Sequence, residues 1–203
     1  MNYLCHYHHH SEKVSKAYSE WDELKIILND ISEKEVVDLF NLKKNSGSKP
    51  SSISPFLNEI IKNKLLEKGW KKETKIFSEP YYNKEKAFRL DFSKNKISLE
   101  VGFNHSGSIC WNIIKPFLAS QLNHVKKEIQ TDLAVIITAT KEFKSNGGYD
   151  GAIGTYEDYI AYLKPLAMFT MLPIIIIGFT GPLSFKVSKN KIDGRNIASI
   201  IET

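Results

Sequence analysis

Two acidic residues have a spacing that a β-hairpin would convert into a pair. Asp91 and Glu100 flank the turn-like residues 93–96, and the residues on both sides alternate between apolar and polar types, which predicts two strands. The apolar residues of the second strand share one face, so Glu100 projects from the other. Neighbouring carboxylates repel unless a cation joins them or one holds a proton, and oxygen ligands favour a hard ion such as magnesium. The hairpin therefore indicates a magnesium site, and surface carboxylates beside Lys94 and Lys96 are the alternative.

The helices that must position this hairpin follow from hydrophobic periodicity. Apolar residues recur at three- and four-residue steps over residues 20–31, 55–69 and 111–129, which predicts three helices. Ser54 is the expected N-cap of the second helix, which a proline follows and Gly69 ends. Residues 41–54, which are rich in Lys, Ser, Gly and Asn and contain Pro50, are expected to form a loop.

The strands complete the expected fold. Residues 133–138 and 173–179 are short apolar runs of the kind that form buried strands, and between them lie a loop at 144–155 and a short helix at 156–163. A strand–helix–strand crossover makes part of the sheet parallel. We therefore predict an α/β fold, a central mixed β-sheet flanked by helices, as a single domain over residues 1–203. Residues 1–19, with a histidine-rich stretch, precede any periodic segment and are expected to form a mobile surface N-terminus.

Composition limits the classes of protein that fit. The chain has 203 residues, 42% of them hydrophobic, which suits one domain with a buried core. No apolar run reaches the roughly 18 residues of a membrane span, and no signal peptide is evident. Two cysteines, Cys5 and Cys110, exclude a disulfide framework and favour a reducing, cytoplasmic setting. All but two of the 28 basic residues are lysine, and a net charge of +5 suits a polyanionic partner, although compositional bias explains it equally well.

The hairpin resembles the metal site of the BglII and BstYI restriction endonucleases, which belong to the broader class with a Pro-Asp…(Asp/Glu)-x-Lys site. The shared pattern is an Asp, eight intervening residues, then Glu-Val-x-Phe, here Asp91 and residues 100–103. Further segments match in the same order over most of residues 20–180: Gly69-Trp70-Lys71 before the hairpin, the strand at 133–138, Gly154-Thr155-Tyr156-Glu157, and the strand at 173–178. The combination is much more specific than the hairpin alone.

The resemblance implies a type II DNA endonuclease that uses Mg²⁺. Asp91, Glu100 and the carbonyl of Val101 would hold the ion, Glu100 would ligate it or orient the attacking water, and Glu73 would support the site. A homodimer, with helix 111–129 as its expected contact, would cut both strands of a short palindromic duplex and leave 5′-phosphates. A cognate DNA methyltransferase is expected in the same system.

One position departs from the family pattern. Gly102 stands where the broad class has Lys and the close relatives have Gln, and glycine offers neither a proton nor a charge. Asn104, His105 and Lys115 are candidates to fill the space. The alternatives are a catalytically inactive DNA-binding protein of the same fold and a globular protein whose acidic hairpin is structural.

Two loops correspond to the segments that recognise DNA in the relatives. They are residues 104–108 and 144–151, and both could be ordinary turns instead. Asn can pair with adenine, Asp can accept from cytosine, and Lys can reach guanine or phosphate. The expected DNA-binding residues are Asn104, His105, Ser106, Lys144, Ser145, Asn146 and Asp150.

Overall fold

The computed structural model describes residues 1–83, 86–121, 125–167, 171–181, 183–192 and 194–202. The strands are β1 (Tyr3–His8), β2 (Lys71–Lys75), β3 (Arg89–Lys94), β4 (Ile97–Val101), β5 (Leu133–Ala139), β6 (Ile174–Phe179), β7 (Phe185–Ile192) and β8 (Arg195–Glu202). The helices are α1 (Ser11–Ser15), α2 (Ser19–Asp30), α3 (Glu33–Asn45), α4 (Ser54–Glu67), α5 (Pro80–Asn83), α6 (Ile109–Ser120), α7 (Lys141–Asn146) and α8 (Tyr156–Leu166). Short 3₁₀ turns precede β3 and α6.

The centre of the fold is a six-stranded sheet in the order β1-β6-β5-β4-β3-β2. β4, β5 and β6 are parallel neighbours, whereas β1, β2 and β3 pair antiparallel with theirs. The prediction of a mixed sheet flanked by helices is therefore confirmed. The hairpin of β3 and β4 also forms as predicted, with Asn95 in the left-handed region at its turn.

Side-chain alternation along the central strands builds two layers. One face of the sheet carries Leu99, Val135 and Ile177 and packs against the apolar residues of α2, α3 and α4. The opposite face carries Ile136 and Ile176 and packs against α6 and α8. Every residue of β5 is buried because helices cover both faces.

The N-terminus differs from its expected state. Residues 3–8 form the edge strand β1, paired antiparallel with β6 from Tyr3 with Phe179 to His8 with Ile174. The expectation of a mobile surface segment over residues 1–19 is therefore wrong for this strand. The edge of β6 offers a row of unpaired backbone groups, and pairing with β1 satisfies them without any strong periodicity in the pairing segment. Ser11 in the following helix adds a hydrogen bond to the Ile174 carbonyl at 2.9 Å.

The predicted helix at 111–129 is shorter in the structure. α6 ends at Ser120, and residues 122–124 of the predicted helix lie outside the described residues. Lys127 donates to the carbonyls of Ala119, Ser120 and Gln121 at 3.0, 3.3 and 2.9 Å, so a cation satisfies the carboxyl end of the helix. Val125 and Ile129 continue the periodicity of the sequence but lie outside any helix.

Three other elements were not predicted as they occur. Residues 41–45 extend α3 into the expected loop, and β2 forms from a polar segment that pairs with β3. The β7–β8 hairpin adds a separate two-stranded sheet after β6. None of the helices that the structure describes has the length and apolar content needed to cross a bilayer.

Candidate active site

The β3–β4 register brings the two carboxylates of the hairpin to the same level. Phe92 pairs with Leu99 and Ser93 with Ser98, so Asp91 and Glu100 come next in the ladder, opposite each other. Asp91 Oδ2 accepts a hydrogen bond from the backbone N–H of Val101 at 2.9 Å. The hairpin thus holds Asp91 against the strand that carries Glu100.

Glu100 is completely buried, which a lone surface carboxylate would not be. Its face of β4 is covered by α6, and the ammonium of Lys115 forms an ion pair with Glu100 Oε2 and lies 3.7 Å from Asp91 Oδ1. Burial raises the pKa of Glu100 well above its usual range, the charge of Asp91 raises it further, and Lys115 opposes both effects. Two acidic side chains and one ammonium thus meet where buried Glu100 adjoins the partly exposed Asp91.

Gly102 has a local reason to lack a side chain. A Cβ at this position would overlap the hydroxyl of Tyr159 on α8 and lie 3.3 Å from Nδ2 of Asn112. That Tyr159 hydroxyl accepts a hydrogen bond from Asn112 at 2.7 Å, and both side chains are buried. A tyrosine and an asparagine from two helices therefore fill the space beside Glu100 that a side chain from β4 would otherwise enter.

Glu73 lies on the edge strand β2, level with Asp91 of β3. Its φ of 49° is in the left-handed region, which non-glycine residues rarely adopt and which is a form of backbone strain often found at functional sites. Glu73 lines an open cleft of about 470 Å³ whose other residues come from α4, β3, β4 and the loop after β4: Asn58, Lys62, Asp91, Phe92, Val101, Phe103 and Asn104. The cleft therefore joins Glu73, Asp91 and Val101 at one surface.

The donor set suits a hard divalent cation. Both carboxylate oxygens of Glu100 are buried and make no hydrogen bond within the described part of the chain, so the ion pair with Lys115 leaves Oε1 without a partner. Carboxylate and carbonyl oxygens without His or Cys are the ligands that magnesium prefers. Among the described residues, no group of three or more His, Cys, Asp or Glu side chains is close enough to hold a metal. Asp91, Glu100 and the Val101 carbonyl would be the oxygen donors for such an ion.

Comparison with known proteins decides the family. The model of the restriction endonuclease BglII/BglIII family matches residues 3–179. The chain belongs to this family. It is accordingly a type II site-specific DNA endonuclease, as the resemblance in its hairpin implied. Comparison with curated protein sequences gives no match.

Two crystal structures of BglII resemble the chain over its whole length. The structure of BglII complexed with a DNA 16-mer has a TM-score of 0.66 at 20% identity and covers 100% of this chain and 88% of that one. Free BglII has a TM-score of 0.59 at 19% identity and covers 99% and 92%. At these identities the likeness establishes the fold, and the roles of individual residues rest on the geometry of this chain.

In this family member the first loop expected to recognise DNA lies against residues 152–154, which directly follow the second expected loop. Ser106 N–H donates to the Ala152 carbonyl at 2.7 Å, and Gly154 N–H donates to the Asn104 carbonyl at 3.1 Å. His105 pairs with Ile153 between them, and its Nδ1 accepts from the N–H of Gly107 at 3.1 Å. The segments therefore form one surface at the end of β4 and β5, although they are far apart in the sequence.

Residues 144–146 are helical, so the expectation that they belong to a loop is wrong. They form the end of α7, which Thr140 caps by accepting from Phe143 N–H at 3.2 Å and which buried Phe143 anchors. The ammonium of Lys144 donates to the carbonyls of Gly151 and Ile153 at 2.7 and 3.0 Å and closes the following loop. Asp150 Oδ1 accepts from Ala152 N–H at 2.8 Å in the same loop. Lys144 and Asp150 thus stabilise the loop that follows α7, in addition to lying at the surface proposed to contact DNA.

Further basic residues line the same region. A wide cleft of about 800 Å³ is bordered by Lys141, Lys144 and Ser145 of α7 and by Lys189 of β7. Lys141 and Lys189 were not predicted from the sequence, because neither belongs to the loops that the resemblance indicates. Proximity of α7 to the β7–β8 hairpin brings them together, and nothing in the local sequence signals that contact.

Asn112 and Tyr159 were also missed, although Asn112 leaves a trace in the sequence. α6 is almost wholly apolar, and its buried polar residues, Asn112 and Lys115, are three positions apart and so share one face. Buried polar residues need partners, so such a pair on an apolar helix indicates a polar group on the element that it covers. Tyr159 carries no comparable signal, because a tyrosine on a helix facing a sheet is ordinary core.

Proposed function

We propose that the chain is a Mg²⁺-dependent endonuclease whose Asp91, Glu100 and Val101 carbonyl hold the ion. The observation that carries the proposal is the buried carboxylate of Glu100, with an oxygen that lacks a hydrogen-bond partner among the described residues, opposite Asp91 in the hairpin. Burying such a charge is costly unless a cation completes the site. Bound magnesium polarises the scissile phosphate and lowers the pKa of water.

Three acidic side chains have separate proposed roles in the cleavage step. Asp91 is fixed by its hydrogen bond from Val101 and presents its other oxygen toward Lys115 and the site. Glu100 orients the attacking water in line with the scissile bond, and the helices that bury it exclude bulk solvent. The water oxygen bonds to phosphorus and gives up one proton as the bond between phosphorus and the 3′-oxygen breaks. The 3′-oxygen takes up a proton, so the products are a 5′-phosphate and a 3′-hydroxyl. Glu73, at its strained position on the cleft, supports the site.

DNA binding is proposed at the surface formed by the loop after β4 and by α7 with its following loop. The related BglII has been crystallised with a DNA 16-mer, and the lysines around the cleft at α7 offer charge for phosphates. Asn104, His105, Ser106, Ser145, Asn146 and Asp150 are the proposed base-reading or positioning residues, with Lys144.

A homodimer is proposed because a palindromic duplex presents two equivalent cutting positions. α6 supports this assembly, since several of its large apolar residues are only partly buried within one chain: Trp111, Ile114, Phe117 and Leu118. A cytoplasmic location and a cognate DNA methyltransferase that protects the host sequence complete the proposal.

Digestion of DNA tests the proposal directly. Purified protein would be incubated with unmethylated phage DNA in Mg²⁺, in Ca²⁺ and in EDTA, and the ends of the products ligated and sequenced. The proposal predicts discrete bands in Mg²⁺ alone, ends that ligate without phosphorylation, and a two-fold symmetric target. Absence of cutting in every divalent ion, with salt-sensitive DNA binding retained, would instead support the inactive DNA-binding protein. Light scattering on the same sample should give the mass of two chains.

A further inference from the structure

Lys115 is a buried lysine with a chemical use beyond packing. It has 7% of its surface exposed, and it is the lysine that appears among the buried charged residues of the described chain. Its stem comes from α6, while the acids that it faces come from β3 and β4. Three separate elements thus converge on one ammonium group.

A purely structural role explains this placement poorly. A buried ion pair is weak evidence for stability, because replacing it with apolar residues of similar volume is often neutral or stabilising. The neighbouring positions on the same face of the sheet, Ile136 and Ile176, are apolar and pack well against α6 and α8. A leucine pair at positions 100 and 115 would therefore extend that layer. The charges of Glu100 and Lys115 therefore indicate a role in the reaction rather than in the stability of the fold.

Phosphodiester cleavage is a reaction in which a fixed positive charge is useful. Cleavage of a phosphodiester accumulates negative charge on the phosphoryl oxygens, and a positive charge fixed close to those oxygens stabilises it. β4 cannot provide the charge next to Glu100, since Tyr159 and Asn112 fill the space at Gly102. The ammonium that reaches the two carboxylates is delivered from α6.

We propose that Lys115 is the positioning lysine of the active site: it holds the Glu100 carboxylate toward the ion and places a positive charge beside the reacting phosphate. The proposal rests on the proposed function and adds to it a residue outside the acidic hairpin. It has a distinctive consequence. An ammonium beside two carboxylates repels a divalent ion as well as aiding catalysis, so its removal should tighten ion binding while slowing cleavage.

The test compares Lys115→Met, which keeps the length of the stem, with Lys94→Met as a matched control. Lys94 is also a partly buried, ion-paired lysine on β3, but its partners are Glu23 Oε1 at 2.8 Å and the Lys68 carbonyl at 2.6 Å. Calorimetric titration with Mn²⁺ in the absence of DNA measures ion affinity, and steady-state cleavage in Mg²⁺ measures kcat and KM. DNA affinity is measured in Ca²⁺.

The proposal predicts opposite changes in the two main readouts. Lys115→Met should bind Mn²⁺ about tenfold more tightly and lose about 100-fold in kcat, with KM and DNA affinity within about threefold of wild type. Lys94→Met should change neither ion affinity nor kcat by more than about twofold. If Lys115→Met does not fold, Lys115→Gln keeps an N–H donor for Glu100 and carries the same two predictions.

Two results would overturn the proposal. A kcat close to wild type in the Lys115 variant shows that the ammonium has no part in cleavage. A parallel fall in Mn²⁺ affinity and kcat shows that Lys115 only holds the carboxylates in place. Failure of the wild-type protein to cut would contradict the proposed function instead, and the Mn²⁺ comparison would still decide whether the ammonium opposes the ion.

Discussion

The two faces of the central sheet use the same strands for different purposes. On the face covered by α2, α3 and α4, β4 contributes Leu99 to a continuous apolar layer. On the other face, one residue further along, it contributes Glu100, and the covering helix contributes Asn112 and Lys115 among its apolar residues. Leu99 and Glu100 are both completely buried. The difference teaches that burial alone does not mark the core, because one face buries hydrocarbon for stability and the other buries charge for chemistry.

The most severe change on the chemical face is Glu100→Gln. It removes a proposed ion ligand while preserving shape, so Mg²⁺-dependent cleavage should fall by roughly 1000-fold, with DNA binding in Ca²⁺ retained. The metal-free variant should also melt at a higher temperature than wild type at pH 8, because burial and the charge of Asp91 disfavour an ionised Glu100, while Lys115 keeps Asp91 as a charged neighbour at 3.7 Å. Cleavage rates and thermal melting in EDTA measure the two effects. Retained cleavage would show that Glu100 is not needed for the reaction, and a lower melting temperature would show that it stabilises the fold.

The adjacent residue should respond in the opposite way. Leu99→Ala opens a cavity in the apolar layer and should cost about 2–5 kcal/mol of unfolding free energy. The concentration of Mg²⁺ at half-maximal cleavage should stay unchanged below the melting temperature, since Leu99 faces away from the carboxylates. Urea denaturation measures the first and a Mg²⁺ titration of activity the second. A shift in the Mg²⁺ requirement without loss of stability would indicate that the ion site lies on the face covered by α2, α3 and α4.

Gly102 tests how tightly the chemical face is packed. Gly102→Ala should cost about 1–3 kcal/mol, because its Cβ would overlap the Tyr159 hydroxyl. In a Tyr159→Leu background the same substitution should cost clearly less, so a double-mutant cycle by urea denaturation should show coupling between the two positions. Equal costs in both backgrounds would mean that Tyr159 does not determine the glycine.

A smaller effect should appear in the pH dependence of stability. The raised pKa of Glu100 means that the folded state holds a proton that the unfolded chain releases near the ordinary value of 4.5. Wild-type stability without metal should therefore fall as pH rises from that value through the raised pKa, and the advantage of Glu100→Gln should shrink as pH falls. Melting temperatures in EDTA between pH 5 and pH 8.5 would show it. A difference between the two proteins that is independent of pH would exclude Glu100 as the titrating group.

The parts of the fold that periodicity encodes were predictable. The second predicted helix, the β3–β4 hairpin and the apolar strands β5 and β6 all carry local patterns that survive in the structure, although that helix spans Ser54–Glu67 and has Ile53, not the expected Ser54, as its N-cap. β1 and β2 carry weak patterns and exist because neighbouring strands offer backbone groups to pair with. Sequence periodicity also overextended α6, whose end depends on Lys127 capping its carbonyls from outside the helix.

The hairpin that carries the site was predictable from the sequence, but the packing of the helices around it was not. The spacing of Asp91 and Glu100 fixes their pairing, and the alternation around Glu100 fixes the face on which it lies. Its complete burial could not be seen, because that depends on how α6 and α8 cross the sheet. The packing of α8 on the sheet also explains Gly102, because the Tyr159 hydroxyl leaves no space for a side chain at that position.

Substitution of Asp91 by Asn tests the central claim most directly. The wild-type protein and Asp91→Asn would be assayed in parallel for cleavage of unmethylated phage DNA in Mg²⁺ and for binding to a duplex that carries the mapped target. If the hairpin carboxylates form the ion site of this restriction endonuclease, the wild type gives discrete fragments, and the variant binds the target with similar affinity but leaves it intact. Cleavage by Asp91→Asn at a rate close to wild type would contradict the claim and move the catalytic centre elsewhere in the molecule.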